Sequence, residues 1–392
     1  MLQKQQCLGG FILFKYSLIW ACSLSVMLVS SLYSAPQNKQ TIKNIPSISA
    51  AFEKSRLSEA LRQYWESYYI SSDSGKKFRT GTPYYPTEPA IILLSAWICT
   101  KEQKYRDAAQ LQFEFAHSRE NDDNLLITEL GFNRDTGARQ IYNFYAAYKI
   151  LGDKKYLTWA DNGAQALLKH MPRRLHQVYG TNISHTLFAA GYCKPEKPYD
   201  TSSLNPWVDV NQNAELALAY TLLYFEPKSA FFKSAIAKEI VVNEMEAGLA
   251  IQNAATGAIP IGDNEYWIAK YDTLYGSYGL FSWTWLNIYW KNPEWRKHIE
   301  SAGRWLAGIS TGQGRMAKRY YPAESDSLEL VDLWCRIPAL WQIRFSPERI
   351  IDSIYGGPGS PNSSSAGSYA PFAYFELMKI PPEFYLRPKS KS

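Results

Sequence analysis

Three stretches of the chain crowd together residues that could do chemistry. In SSLNPWVDVNQNAELALAY, Trp207, Asp209, Asn211, Asn213 and Glu215 gather at the start of an otherwise apolar run. Asp209 or Asn211 could cap that run as a helix, and Glu215 could be a first-turn acid that suits the helix dipole. A cap explains one or two of the five. Unpaired buried carboxylates are costly, so the whole cluster reads as a site. In IGDNEYWIAKYDTLYGSYGLFSW, Asp263, Glu265, Tyr266, Trp267, Asp272, Tyr275 and Tyr278 alternate acids with aromatic rings. Rings stack on the apolar faces of sugars while acids accept their hydroxyl hydrogens, although Asp272 could equally be a helix cap. The third stretch, RYYPAESDSLELVDLW, pairs Asp326 with Glu329 as a capping box and reads as a capped helix start.

Cleaving a glycosidic bond usually takes two carboxyl groups. One is protonated for the leaving oxygen, and one is ionised to activate water or attack carbon. Asp209 with Asp263 or Asp272 would supply them. A lyase or epimerase acting beside a uronate carboxylate would instead need a Tyr or His base and a cation, for which His185 (near Tyr179 and Tyr192) and Arg139 (near Tyr142 and Tyr145) are the candidates. A lone His is more often a structural hydrogen-bonder. There is no HExxH, Walker loop or nucleophile elbow, and no motif that asks for a metal or a cofactor. The Gly356–Gly367 segment GGPGSPNSSSAG reads as a connector or lid, because its prolines remove amides that an anion site would use.

The elements that must position these residues repeat along the chain. An apolar helix, a polar or proline break and an aromatic residue opening a more amphipathic helix recur in four copies. The breaks fall at Thr100–Gln103 before Tyr105, at Gly152–Asp153 before Tyr156, at Glu226–Pro227 before Phe232, and at Asn292–Pro293 before Trp295. A leading pair around Ala50–Tyr69 and a closing pair, Leu328–Trp341 with Pro371–Met378, bring the count to about six. The first helix of each pair is apolar nearly all round and the second has a solvated face, which places the first inside and the second outside a closed double ring.

This arrangement of hairpins resembles the six-hairpin glycosidase-like superfamily over about residues 50–380. The resemblance implies an all-α, (α/α)6 toroid. It also implies a carbohydrate-active enzyme, a glycoside hydrolase or else a lyase or epimerase, acting on an oligosaccharide or polysaccharide that could contain uronic acid. The Trp207-Val208-Asp209 triplet is similar to a Trp-x-Asp patch of unsaturated uronyl hydrolases in that superfamily. On this reading Asp209, Asp263 and Asp272 are the catalytic candidates. Trp207, Asn213, Glu215, Glu265, Tyr266, Trp267, Tyr275, Tyr278, His185 and Arg139 are the substrate-binding candidates. The alternative from another class is a non-catalytic glycan- or protein-binding envelope protein.

Composition narrows the setting. Aromatic residues form 15% of the chain, with 28 Tyr and 13 Trp, which either fill the core or line a ligand surface. The formal charge of +6 falls by the two charges of Lys4 and Lys15 if the leader is removed. The remaining basic residues form no block, so nucleic acid is not expected as a partner. Tyr16–Ser34 carries no charge and follows Lys4 and Lys15, the layout of a signal peptide or signal anchor over residues 1–34. Residues 35–46 then form a tether, 47–385 the toroid and 386–392 a tail. The domain is expected to be exported: periplasmic, secreted, or membrane-attached only through that anchor. Cys99, Cys193 and Cys335 form no disulfide or metal framework, and Cys99 and Cys335 read as core residues.

Overall fold

Each reversal of the chain has a stereochemical cause. The computed structural model describes residues 47–308 except 56–57, 79–84, 125–130, 192, 194–196, 198–199, 266 and 269–270, together with 315–317, 319–320, 330–332 and 371–379. Helices α1 (Ile48–Glu53) and α2 (Ser58–Ser71) lead. Helix α3 (Glu88–Thr100) turns into α4 (Gln103–His117) through Lys101, which takes the left-handed conformation at φ 59°. Helix α5 (Arg134–Leu151) ends at Gly152, φ 82°, and Asp153 caps α6 (Lys154–His170) by accepting the Lys155 amide at 2.9 Å. Helix α7 (Val210–Phe225) pairs with α8 (Ala235–Ala250), and α9 (Thr273–Trp290) pairs with α10 (Pro293–Gly308). In this last turn the Asn292 side chain accepts the amides of Glu294 and Trp295. Helix α11 spans Pro371–Met378.

Two expectations are corrected. Phe232 does not open the helix after Glu226–Pro227. The connection runs on to the Ser234 cap, because Ser229 Oγ and the Ala230 amide are held by Asp161 at 2.5 and 2.9 Å. Nor is Leu328–Trp341 a helix where it is described. Leu330–Asp332 is a strand paired antiparallel with Arg315–Ala317, which satisfies its backbone laterally, and the rest of that segment lies outside the described residues.

Between α6 and α7 the chain forms an antiparallel sheet of β1 (Arg173–Gln177), β2 (Ser184–Ala190) and β3 (Asn205–Pro206), an insertion into the helical ring that its periodicity did not announce. Gly180 turns the β1–β2 hairpin at φ 72°.

The inner ring follows from burial. Helices α3, α5 and α7 are buried nearly all round; α3 and α7 are apolar as such burial requires, whereas α5 also buries Arg134, Asp135, Arg139, Gln140 and Asn143. Inner helices pack in chain order from α3 to α9, while α4, α6, α8 and α10 each cover their own partner. Helix α11 closes the ring: its Tyr374 ring lies 5.3 Å from Phe281 and 5.5 Å from Trp285 of α9, and the Ala373 amide donates to Ser95 of α3. Trp65, Trp283 and Trp285 are fully buried, so part of the aromatic surplus is core. Cys99 is also buried, and Cys335 lies outside the described residues. No described helix is long and apolar enough to cross a membrane. Because each inner helix is followed by an antiparallel outer one, the inner helices run the same way and their N-termini share one mouth.

Candidate active site

The polar starts of the inner helices meet at that mouth. Arg139 of α5 is its centre and is 3% exposed. Its Nη1 donates to Glu88 Oε1 at 2.7 Å, its Nη2 to Glu215 Oε1 at 2.9 Å, and its Nε reaches both Glu215 oxygens at 3.1 Å. The ring centroids of Tyr85 and Tyr278 lie 3.7 and 4.6 Å from its guanidinium carbon. Burial works against the Arg139 charge, but the carboxylates around it, Glu215 first, more than offset that and hold it ionised. Glu215 is the sixth residue of α7 and paired to Arg139, so it is not a first-turn acid serving the helix dipole. Burial pushes the Glu215 carboxyl up against the pull of Arg139, with the charges of Asp135 and Glu88 adding to the rise.

One turn closer to the opening sit Asp135 and Asp209. Asp135, the second residue of α5, accepts from the Tyr85 hydroxyl at 2.9 Å and from the Thr136 amide at 2.8 Å. Asp209 is the N-cap residue of α7, yet its side chain makes no cap hydrogen bond. The residue is 8% exposed, and its Oδ1 is buried with no hydrogen-bond partner among the described residues. Burial raises its pKa to about 7; Arg134 pulls the other way, and the charge of Asp135 pushes further up. A carboxyl in this state keeps a proton near neutral pH and has one oxygen uncommitted.

Asp209 is held through its backbone. Its amide donates to Asn213 Oδ1 at 2.7 Å, and Asn213 in turn donates to the buried Glu244 of α8. Gly262 forms a β-bridge with Asp209, and a Cβ at Gly262 would stand 2.6 Å from the Trp207 ring and 2.7 Å from the Val208 carbonyl. Arg134, fully buried, ties the sheet to α7 by donating to Phe188 O, Trp207 O, Gln212 Oε1 and Asn213 Oδ1.

The other sequence candidates fall as follows. Asp263 is 2% exposed and has both oxygens engaged: Oδ1 accepts the Val208 amide at 2.9 Å, and Oδ2 meets the Tyr179 amide at 3.2 Å and His176 Nε2 at 2.5 Å. Trp207 is half-buried against Gly262, Tyr278 faces Arg139, and Tyr275 is 39% exposed. Glu265 is exposed, and Trp267 is half-buried in the turn begun by Asn264. His185 does not join the cluster; its Nδ1 faces Asn243 of the outer helix α8 at 3.3 Å. Asp272 is described only through its backbone, which pairs with Arg319, and Tyr266 lies outside the described residues. Sequence reasoning passed over Glu88, Arg134, Asp135 and Tyr85. The signal was present in Asn133-Arg134-Asp135, a polar cluster opening a buried helix like that at 207–215. Among the described residues, no group of three or more His, Cys, Asp or Glu is arranged to hold a metal ion.

Solved structures of similar shape share the fold. The fold resembles a beta-1,3-1,4-glucanase from Paenibacillus sp. X4 (TM-score 0.58, 9% identity, 88% of this chain and 95% of that one). It also resembles Dfg5 from Chaetomium thermophilum in complex with glucosamine (TM-score 0.55, 11% identity, 89% and 94%). An alpha-amylase from Clostridium perfringens is similar too (TM-score 0.50, 11% identity, 76% and 88%). No family model matches the chain, and no curated protein matches it by sequence. The chain has an all-α fold, the (α/α)6 toroid.

Proposed function

We propose that the protein is an exported carbohydrate-active enzyme that hydrolyses a glycosidic bond, with Asp209 as the general acid. The observation that carries this is the Asp209 carboxyl: it lies at the start of an inner helix at the mouth of the toroid, burial raises its pKa to about 7, and its buried Oδ1 has no hydrogen-bond partner among the described residues. Asp209 gives its proton to that oxygen as the glycosidic C–O bond breaks. Asp135 takes a proton from the water that attacks the anomeric carbon, which regenerates a carboxylate and a carboxylic acid in exchanged roles. Water then restores the pair. Arg139, paired with Glu88 and Glu215, is a fixed strut that keeps α3, α5 and α7 in register beneath the reacting carboxyls. Asp263 serves as a positioning residue, since its carboxylate joins the Val208 amide to the Tyr179 amide and His176 of the hairpin. The sugar-acting names of the similar structures support the substrate class, and the uncharged run Tyr16–Ser34 supports export.

The test is a screen of the purified protein on oligosaccharides and uronate polymers, reading reducing ends and unsaturated products. New reducing ends without unsaturated sugars, abolished by Asp209→Asn and by Asp135→Asn, are expected. The anomer formed first, read by NMR, distinguishes water activation from direct attack by Asp135. Unsaturated products would replace the hydrolase with a lyase. Glycan binding without turnover would replace it with a binding module.

A further inference from the structure

The β1–β2 hairpin has a feature that the hydrolytic reading does not use. Its tip is stiffened by its own hydrogen bonds: Val178 N to Ile183 O at 2.9 Å, Thr181 N to Val178 O at 3.1 Å, and Gln177 Nε2 to Thr181 O at 2.8 Å. Val178 is fully buried beneath the tip, while the next residue, Tyr179, is 49% exposed. A large ring left half in water on a braced turn is what a stacking surface requires, because little backbone freedom remains to be lost on binding.

Its location is fixed by Asp263. That carboxylate accepts the Tyr179 amide on Oδ2 and the Val208 amide on Oδ1, and Val208 directly precedes Asp209. Two hydrogen bonds and the width of one carboxylate put those amides within roughly 8 Å of each other. His176, on the hairpin strand that leads to the tip, grips the same Oδ2. The hairpin is therefore fastened to the backbone that carries the proposed acid.

We propose that Tyr179 is a sugar-stacking platform beside the position of the cleaved bond, and that Asp263 is the residue that positions it there. The ligand is the ring of a pyranose adjoining the scissile linkage in an oligosaccharide chain. The assignment rests on the hydrolytic reading for the bond that is cleaved, but not for the binding.

The test uses the full chain carrying Asp209→Asn, titrated by calorimetry with cello-, laminari-, manno- and chito-oligosaccharides of two to six residues. On the oligosaccharide that binds best, Tyr179→Ala is expected to weaken binding about 10-fold, and Tyr179→Phe, which keeps the ring, by no more than about 2-fold. Leu175→Ser, exposed on the same hairpin, leaves affinity unchanged. Asp263→Asn weakens binding as Tyr179→Ala does, and the double variant is no weaker than Asp263→Asn alone, a non-additivity that simple loss of stability would not produce. Equal affinity of Tyr179→Ala and its parent would overturn the platform while leaving the hydrolytic reading intact. Binding that depends on Tyr179, in a protein whose wild type cleaves none of these chains, would support the platform and remove the hydrolase. If no member of the panel binds, the platform is overturned, and the hydrolytic reading stands or falls by the reducing-end screen.

Discussion

Arg139 and Glu215 are each the sixth residue of neighbouring inner helices, and they meet in a two-pronged ion pair with almost no exposure to water. Tyr278, the sixth residue of α9, joins the same layer. Three helices entering the mouth in parallel thus contribute the same turn to one stratum, and Glu88 from α3 completes the charge balance around the guanidinium.

That stratum should be costly to break from one side. Arg139→Met leaves Glu88 and Glu215 buried without their cation, and the loss should be about 3–5 kcal/mol. Glu215→Gln keeps a partner for the guanidinium and should cost less. Denaturant midpoints of the two variants measure the difference, and equal midpoints would mean that water reaches this layer.

The raised pKa of Asp209 predicts a pH dependence of definite sign. Its proton is held from the ordinary value of 3.8 up to about 7 in the folded chain, so its contribution to stability is complete below pH 4 and is lost as pH rises through 7. Asp209→Asn removes the group that must ionise while buried. The variant should match the wild type near pH 4 and exceed it at pH 8, by up to about 4 kcal/mol for a shift of this size. Thermal unfolding at the two pH values checks this. A wild type more stable at pH 8 than Asp209→Asn would show that the carboxylate is well solvated or paired. The same proton sets an alkaline limb near pH 7 in kcat/KM if Asp209 is the acid.

Tyr85 joins both carboxyl systems at once, its hydroxyl on Asp135 and its ring over Arg139. Tyr85→Phe keeps the ring and deletes the hydrogen bond. Its stability cost should be about 1 kcal/mol. If Asp135 must be aimed for reaction, kcat should fall about 10-fold or more with KM little changed. Steady-state kinetics beside a melting curve separate the two effects, and a change confined to melting would limit Tyr85 to a structural part.

Most of the ring was legible because its reversals depend on local chemistry. Gly152 with Asp153, and Asn292 with Pro293, end one helix and cap the next by contacts within a few residues. The turn after Glu226 was misjudged because Asp161, from another hairpin, holds it open. The β1–β2 hairpin was missed because its two short runs meet only across the turn at Gly180. Asp209 and Glu215 stood out as acids opening an apolar helix. Their partners Asp135 and Glu88 did not, because what makes those two matter is proximity across helices far apart in sequence. The engagement of Asp263 was invisible for the same reason, since its three hydrogen-bond partners lie between 55 and 87 residues away.

Gly262 tests whether Asp209 depends on its backbone clamp. Its carbonyl-side neighbour Asp263 and its preceding residue Ile261 bond Val208 and Val210, so Gly262 sits opposite Asp209 itself. A methyl group there meets the Trp207 ring at 2.6 Å and the Val208 carbonyl at 2.7 Å, and a backbone oxygen cannot swing aside as a flexible side chain would. The strand must separate, carrying Asp209 with it. Gly262→Ala should therefore destabilise the fold by about 1–3 kcal/mol, typical of overpacking. It should also lower kcat by a larger factor than that destabilisation would produce by unfolding alone, because a displacement of about 1 Å at a reacting group can cost about 100-fold. Turnover measured well below the melting temperature decides between them: full activity per folded molecule would mean that Asp209 keeps its place without the bridge.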